Sequence, residues 1–340
     1  MPAVLTERQA EILRLVVREY IETADPVSSR SLVEKHGLTV STATIRNEMA
    51  RLEEDGYISH PHTSAGRVPS ERGYRHYVEL LMSEDPVLPE EQRTIEHQLH
   101  QVLGGLDEWL SLAATILAAS VGNVAVVTRP QTVGARLKHM QLVELHGESV
   151  LLVAVMDDGR VRQRVLPQRT PARQEQFNQR AVRLNAVIAG RGAAAIRLAA
   201  SELADGEEAA VVRAVAELVE EQRFTEETFL DGLRAVLEQP EFASADRMLH
   251  AVQQLEAYRV RRLLEQARAE RVGITRVLIG REHGDEGMLE WSVVVSNYGD
   301  AAGSIGTVAV LGPTRMRYER TIPRVRYVAT LMGHLIESVR

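Results

Sequence analysis

Hydroxyl caps and glycine or proline stops cut the first 56 residues into three helices, and no other feature of the chain constrains its fold as tightly. Thr6-Glu7-Arg8-Gln9 matches a capping box, in which the Thr6 hydroxyl accepts the N–H of Gln9 and the Gln9 side chain reaches back. Apolar residues then recur at Ala10, Leu13, Val16, Val17, Tyr20 and Ile21, one face of a helix. Asp25-Pro26 stops it. Ser28 or Ser29 caps a short second helix, SRSLVEKH, closed by Gly37. Leu38-Thr39-Val40 is a brief extended link. Ser41 caps a third helix whose apolar positions, Ile45, Met49 and Leu52, fall four and three apart, and Gly56 ends it. Tyr57-Ile58-Ser59 reads as a strand. Helix, short helix, tight link, helix and strand, in that order, describe a helix-turn-helix that continues into a hairpin.

The strand runs into HPHTSAGRVPSERGYRHY, residues 60–77, which holds three His, three Arg, two Gly and two Pro. A core does not need this composition, but a wing does. A wing is a β-hairpin that lies beside the reading helix and touches the DNA backbone or minor groove. Gly66 is expected to give the turn its φ freedom, and Pro69 to stiffen the return arm. Arg67 is expected at the tip, where a guanidinium suits a narrow, negative minor groove. Thr63, Ser64 and Ser70 are phosphate-type donors, and His62 and Arg72 add to the basic character. SERGYRHYVELLM reads as a fourth helix, with Tyr74, Tyr77, Val78 and Leu81 packing back onto the first.

The third helix carries the chemistry that reads base edges. Arg suits guanine, Asn suits adenine, and hydroxyls and methyls adapt to either, while the free N–H groups of a helix N-terminus suit phosphate. Ser41, Thr42, Thr44, Arg46 and Asn47 crowd its first two turns, and Glu53, Glu54 and Asp55 lie at the far end. A solvated, well-capped helix explains these side chains one by one. It does not explain them together with the helix order and the basic loop. The expected DNA-binding residues are therefore Ser41, Thr42, Thr44, Arg46, Asn47, His62, Thr63, Ser64, Arg67 and Arg72.

Net charge neither helps nor forbids this. The chain sums to −7, and residues 1–82 carry ten Lys/Arg against twelve Asp/Glu, so binding must depend on where the charge sits. A length of 340 residues suggests two or three domains. No apolar run of eighteen residues suggests a membrane span, and the charged N-terminus does not read as a signal peptide. The chain has no cysteine, which excludes disulfides and thiolate metal sites and fits a cytoplasmic setting.

Residues 27–78, VSSRSLVEKHGLTVSTATIRNEMARLEEDGYISHPHTSAGRVPSERGYRHYV, resemble the N-terminal domain of the HrcA family of heat-inducible transcription repressors. The runs STATIRNEMARLE and HTSAGRVPSERGYRHYV carry the resemblance, and Ser296 to Ile322 resembles the family's C-terminal signature. The resemblance implies an inverted-repeat operator upstream of chaperonin and DnaK-type chaperone genes. It also implies a GroEL-type chaperonin as partner, and a GAF-like domain carrying an inserted dimerising domain.

The rest of the chain fits an α+β plan. SEDPVLP, residues 83–89, reads as a linker, and Glu90 to about Val121 as helix with a Gly104-Gly105 break. Strand patterns follow at Asn123–Thr128, Leu137–Leu145, Val150–Met156 and Val161–Leu166. Residues from about Arg173 to Arg271 read as almost entirely helical. Strands return at Thr275–Arg281, Leu289–Ser296 and Ser304–Leu311, with Pro313-Thr314 opening a final helix. Strands before and after a helical block suggest one interrupted domain. The expected division is a winged helix-turn-helix at 1–82, a linker and connecting helix at 83–121, a GAF-like domain at 122–189 and 272–340, and a helical dimerising insertion at 190–271.

Little in this part argues for catalysis. YGDAAGSIG, residues 298–306, lacks the Lys-Ser/Thr of a phosphate loop and lies between strands, so Gly299 and Gly303 are expected to make a hairpin turn. Thr314-Arg315 at a helix start is a weak anion candidate. Glu96, His97 and His100 share a helix face without a further ligand nearby, and no cofactor is expected. The leading reading is a homodimeric repressor, because an inverted repeat requires two copies related by a two-fold axis. The alternative is a regulator that senses a small molecule through its GAF-like domain, and a third is an enzyme joined to a DNA-binding domain.

Overall fold

The computed structural model describes residues 5–60, 66–102, 105–132, 136–145, 149–157, 159–168, 172–203, 206–220, 228–267, 271–300 and 303–339. The N-terminal helices fall where their caps place them. Helix α1 is Glu7–Thr23, opened by the Thr6–Gln9 capping box. Helix α2 is Ser29–His36, capped by Ser28 and closed by Gly37. Helix α3 is Thr42–Glu54, capped by Ser41. Strands β1 (Ile58–Ser59) and β2 (Val68–Pro69) pair antiparallel, and α4 (Glu71–His76) continues into a π-helical turn at Tyr77–Leu81. Ile12, Leu13, Val16, Leu32, Ile45, Met49 and Leu52 close one core, each 1% exposed or less.

Helix α5 (Pro89–His100) and helix α6 (Leu106–Val121) lead to strand β3 (Val124–Thr128). An inserted unit then occupies most of residues 131–226. It has its own antiparallel sheet of β4 (Leu137–Glu144), β5 (Ser149–Met156) and β6 (Val161–Pro167), in that order. Helices α7 (Gln174–Ile188), α8 (Ala193–Glu202) and α9 (Glu207–Glu220) complete it. Val150, Leu152, Ala154 and Met156 of β5 point into one core with Phe177, Leu184, Ile196 and Val215.

The chain returns to the first unit through β7 (Thr228–Asp231) and helices α10 (Leu233–Leu237), α11 (Ala245–Gln254) and α12 (Ala257–Ala267). Strands β8 (Thr275–Ile279), β9 (Trp291–Gly299) and β10 (Ser304–Pro313) follow, and helix α13 (Tyr318–Val339) ends it. The order along the sheet is β7-β3-β10-β9-β8, antiparallel throughout. Both faces are covered, so β3 and most of β9 and β10 are runs without polar alternation, as expected of doubly buried strands. Val294, Tyr298, Val308 and Val310 join the core that contains α1–α4, α6 and α13. Trp291, Val293, Val295 and Leu311 join Val236, Phe242 and Leu263 of the α10–α12 side.

Three expectations need correction. The strands at 137–166 do not belong to the interrupted sheet, and the insertion is a mixed unit near 131–226, not a helical one at 190–271. Hairpin signals identify neighbours in sequence but not the sheet they join. Helices α10–α12 pack on the first unit because their apolar residues meet Trp291 and its neighbours. The span from 173 to 271 is largely helical, as expected, but it also holds a strand. Thr228–Asp231 is too short to show alternation and exists as a strand through its pairing with β3. Finally, α13 starts at Tyr318, not at Pro313-Thr314, because β10 extends to Pro313.

Candidate nucleic-acid interface

Helix α3 owes its position to both of its neighbours. Its apolar side, Ile45, Met49 and Leu52, is buried against α1 and α2. Glu19 of α1 fixes α2 in turn: its buried carboxylate accepts from the Ser31 hydroxyl and from Lys35 Nζ at 2.9 Å, with His36 Nε2 at 3.6 Å. Burial alone would raise the Glu19 pKa, but the Ser31 and Lys35 hydrogen bonds and the Lys35 and His36 charges outweigh it and hold the group below its ordinary value. Sequence reading missed Glu19. A lone acid among the apolar positions of α1 was the available signal.

With that side buried, the remaining side of α3 faces solvent. Ser41, Thr42, Arg46 and Asn47 are exposed, and Thr44 is half-buried. The Ser41 hydroxyl accepts the Thr44 N–H at 3.1 Å and lies 2.9 Å from the Thr44 hydroxyl, so both residues shape the helix start. Among the described residues, the side chains of Thr42, Arg46 and Asn47 make no hydrogen bond or ion pair, and their donors are free for a ligand.

The wing differs from its expected layout. His62, Thr63 and Ser64 lie outside the described residues. Arg67 is not at the tip. Its backbone bridges Val27 through two 2.8 Å hydrogen bonds, and its guanidinium pairs with Glu53 at 2.9 Å. Arg72 is exposed but lies over the Tyr57 ring, 4.3 Å from its centroid, and donates to the Tyr57 hydroxyl at 3.2 Å and to the Asp55 carbonyl. Both arginines therefore fasten the wing to the end of α3 and partly neutralise its acidic terminus. Gly66 does not have a positive φ. It is buried against the Pro26 backbone, where a Cβ would overlap the carbonyl. Its lack of a side chain serves packing, not turn conformation.

Other sequence candidates are occupied elsewhere. Arg315 pairs with Glu241 and donates to the Ile21 carbonyl at 3.0 Å, so it braces α1. His100 Nδ1 meets the Glu96 carbonyl at 2.7 Å, His97 Nε2 meets Gln101 at 2.8 Å, and the Glu96 carboxylate accepts from Tyr327 at 2.8 Å. Among the described residues no helix is long and apolar enough to cross a membrane.

A reading helix with free polar side chains, braced by a hairpin and joined to a helix-covered antiparallel sheet, defines a winged-helix transcription regulator. Residues 3–66 match the LexA DNA binding domain family and residues 107–322 the HrcA protein C terminal domain family. The heat-inducible transcription repressor HrcA of Roseiflexus castenholzii is 40% identical over 346 residues, covering 98% of this chain and 95% of that one. The HrcA of Chloroflexus aggregans is 38% identical over 358 residues, covering 100% and 95%. A crystal structure of a protein described as hypothetical shares the fold, with a TM-score of 0.59 at 24% identity over 99% of this chain and 100% of its own. The chain belongs to the HrcA family of heat-inducible transcription repressors. It is a DNA-binding heat-shock repressor and not an enzyme.

Proposed function

We propose that the chain acts as a homodimer that places two α3 helices in successive major grooves of an inverted-repeat operator before chaperone genes. The observation that carries this reading is the pair Arg46 and Asn47, exposed side by side with no partner in the fold. In this reading they contact base edges, with Thr42 beside them, while Ser41 and Thr44 present the helix start to a phosphate. His62, Thr63 and Ser64 supply the wing's contacts. Arg67 and Arg72 act mainly by holding the wing in place.

The homodimer has a surface in the inserted unit. One face of its sheet packs on helices, and the strand register places Val143, Leu151 and Val165 in one row of the other face and Val155 with Val161 in another. Val161 and Val165 are 63% and 57% exposed. The Val143, Leu151 and Val165 row is apolar, and such a row can match itself across a two-fold axis. In this reading the protein works in the cytoplasm, heat removes the DNA-competent fold, and a GroEL-type chaperonin restores it.

Footprinting of the purified protein on the DNA upstream of its chaperone genes tests the reading. A protected inverted repeat is expected. Arg46→Ala should weaken operator binding by about 1–3 kcal/mol and binding to random DNA by less. Equal weakening on both DNAs would make Arg46 a backbone contact only.

A further inference from the structure

A cleft of about 390 Å3 lies where the end of α6 meets the start of α13. Ser120, Asn123, Gln239, Arg315, Arg317 and Arg320 are among the residues that line it. Three of the lining residues are arginines and none is an acid, in a chain of net charge −7. Three carbonyls at the end of α6, those of Ala118, Val121 and Gly122, already accept hydrogen bonds. Gly122 N–H donates to the Ala118 carbonyl at 2.8 Å, Asn123 Nδ2 to Val121 at 3.0 Å, and Gln239 Nε2 to Gly122 at 2.9 Å. Arg315 is committed to Glu241 and the Ile21 carbonyl.

Arg317 and Arg320 have no such commitment. Among the described residues neither forms an ion pair, and Arg320 Nε is buried without an acceptor. Glu319, whose carboxyl feels the Arg317 charge, lines a neighbouring pocket and not this one. Two unpaired guanidinium groups on one cleft repel each other, and an anion bound between them offsets that repulsion.

We propose that this cleft binds a small phosphate-bearing solute through Arg317 and Arg320. Guanidinium forks match the oxygens of a phosphoryl group, and the N-terminal turn of a long helix favours negative charge. The volume lies within the range of small-ligand pockets and exceeds what one orthophosphate fills. Arg315, on the same cleft, is the brace that holds the last turn of α1. An occupant therefore stabilises the joint between the DNA-reading helices and the sheet, and its concentration sets the temperature at which the repressor fails.

The test uses the full chain and pyrophosphate, in buffers matched in ionic strength with sodium chloride. At a hundredfold excess over its dissociation constant, pyrophosphate should raise the unfolding midpoint by roughly 3–6 °C. Arg317→Gln with Arg320→Gln should weaken binding at least about tenfold in calorimetric titration, a loss of about 1.4 kcal/mol. Arg234→Gln, at an exposed arginine of α10, should leave it unchanged. Arg317→Gln alone, at an exposed position, serves if the double variant does not fold. An equal rise with chloride, or undiminished pyrophosphate binding by the variants, overturns the proposal. The remaining source of phosphate is the DNA itself. Operator affinity of Arg317→Gln without pyrophosphate should match wild type. A drop with a salt slope shallower by about one assigns the arginine to the DNA backbone and overturns the solute reading.

Discussion

Arg75, on the helix that follows the wing, grips Glu282, 207 residues further along the chain, with both prongs of its guanidinium. Nε meets Oε1 at 2.8 Å, a terminal nitrogen meets Oε2, and the same nitrogen donates to the Val277 carbonyl at 2.7 Å. Next to it, the Glu71 carboxylate accepts the Arg281 N–H at 3.4 Å. With Arg315 holding α1 from another side, the DNA-reading helices are fastened to the sheet region at two separate points. Forked, charge-assisted bonds resist rotation as well as separation.

Breaking the grip should loosen the fold measurably. Glu282→Ala leaves a half-buried guanidinium short of its acceptor, at a cost of about 1–2 kcal/mol after allowance for solvent screening. A double-mutant cycle with Arg75→Ala, followed by thermal unfolding, should return a coupling of about 1 kcal/mol. Strictly additive losses would show that the two side chains meet without holding anything.

Gly73 explains why the helix after the wing tolerates a poor helix former. A Cβ there would overlap the Tyr57 carbonyl oxygen, while meeting Leu13 only at ordinary contact distance. That carbonyl accepts the Ser70 N–H at 3.0 Å, so α4 and the strand before the wing touch backbone to backbone. Gly73→Ala should cost about 1–3 kcal/mol through overpacking, although alanine favours helix. An unchanged or higher unfolding midpoint would contradict the contact.

Local signals were legible in the sequence and distant ones were not. Thr6, Ser28, Ser41 and Gly37 act on backbone within four residues, so their types and spacing located helices α1 to α3. The exposed group Thr42, Arg46 and Asn47 followed from the apolar period of the same helix. The roles of Arg67 and Arg72 did not. Their partners, Glu53 and Tyr57, are fourteen and fifteen residues away, and a free arginine has the same letter as a paired one. The sheet shared by β3 and β7 was hidden for the same reason, since pairing across about a hundred residues leaves no periodic trace.

The open sheet face of the inserted unit gives a direct prediction about assembly. Val165→Asp places a charge in the row that contains Val143 and Leu151, on the side away from the unit's core. Because Val165 is exposed, the change should leave the monomer's fold nearly intact. Sedimentation should show wild type as a dimer and the variant dissociating at concentrations at least tenfold higher. A variant that remains dimeric would move the interface elsewhere.

Two glutamates should make stability depend on pH in opposite senses. Glu19 has a folded pKa below its ordinary value, so its contribution is present above about pH 4.5 and is lost as pH falls through the lower folded value. Glu19→Gln weakens the tie to Lys35 and should cost about 1–3 kcal/mol at pH 7, with the deficit shrinking in acid. Glu319 behaves in reverse. Burial raises its carboxyl above the ordinary value, against the smaller lowering effects of its own backbone N–H and of Arg18 and Arg317, and Glu22 adds to the rise. One of its oxygens is buried without a partner. The folded state therefore holds this proton more tightly than the unfolded one, and stability is lost as pH rises through the raised value. Glu319→Gln removes that loss, so the variant should unfold at a higher temperature than wild type at pH 7 and at nearly the same temperature near pH 4. Unfolding midpoints across pH 4–8 check both residues, and a Glu319 variant less stable than wild type at pH 7 would refute the buried-charge account.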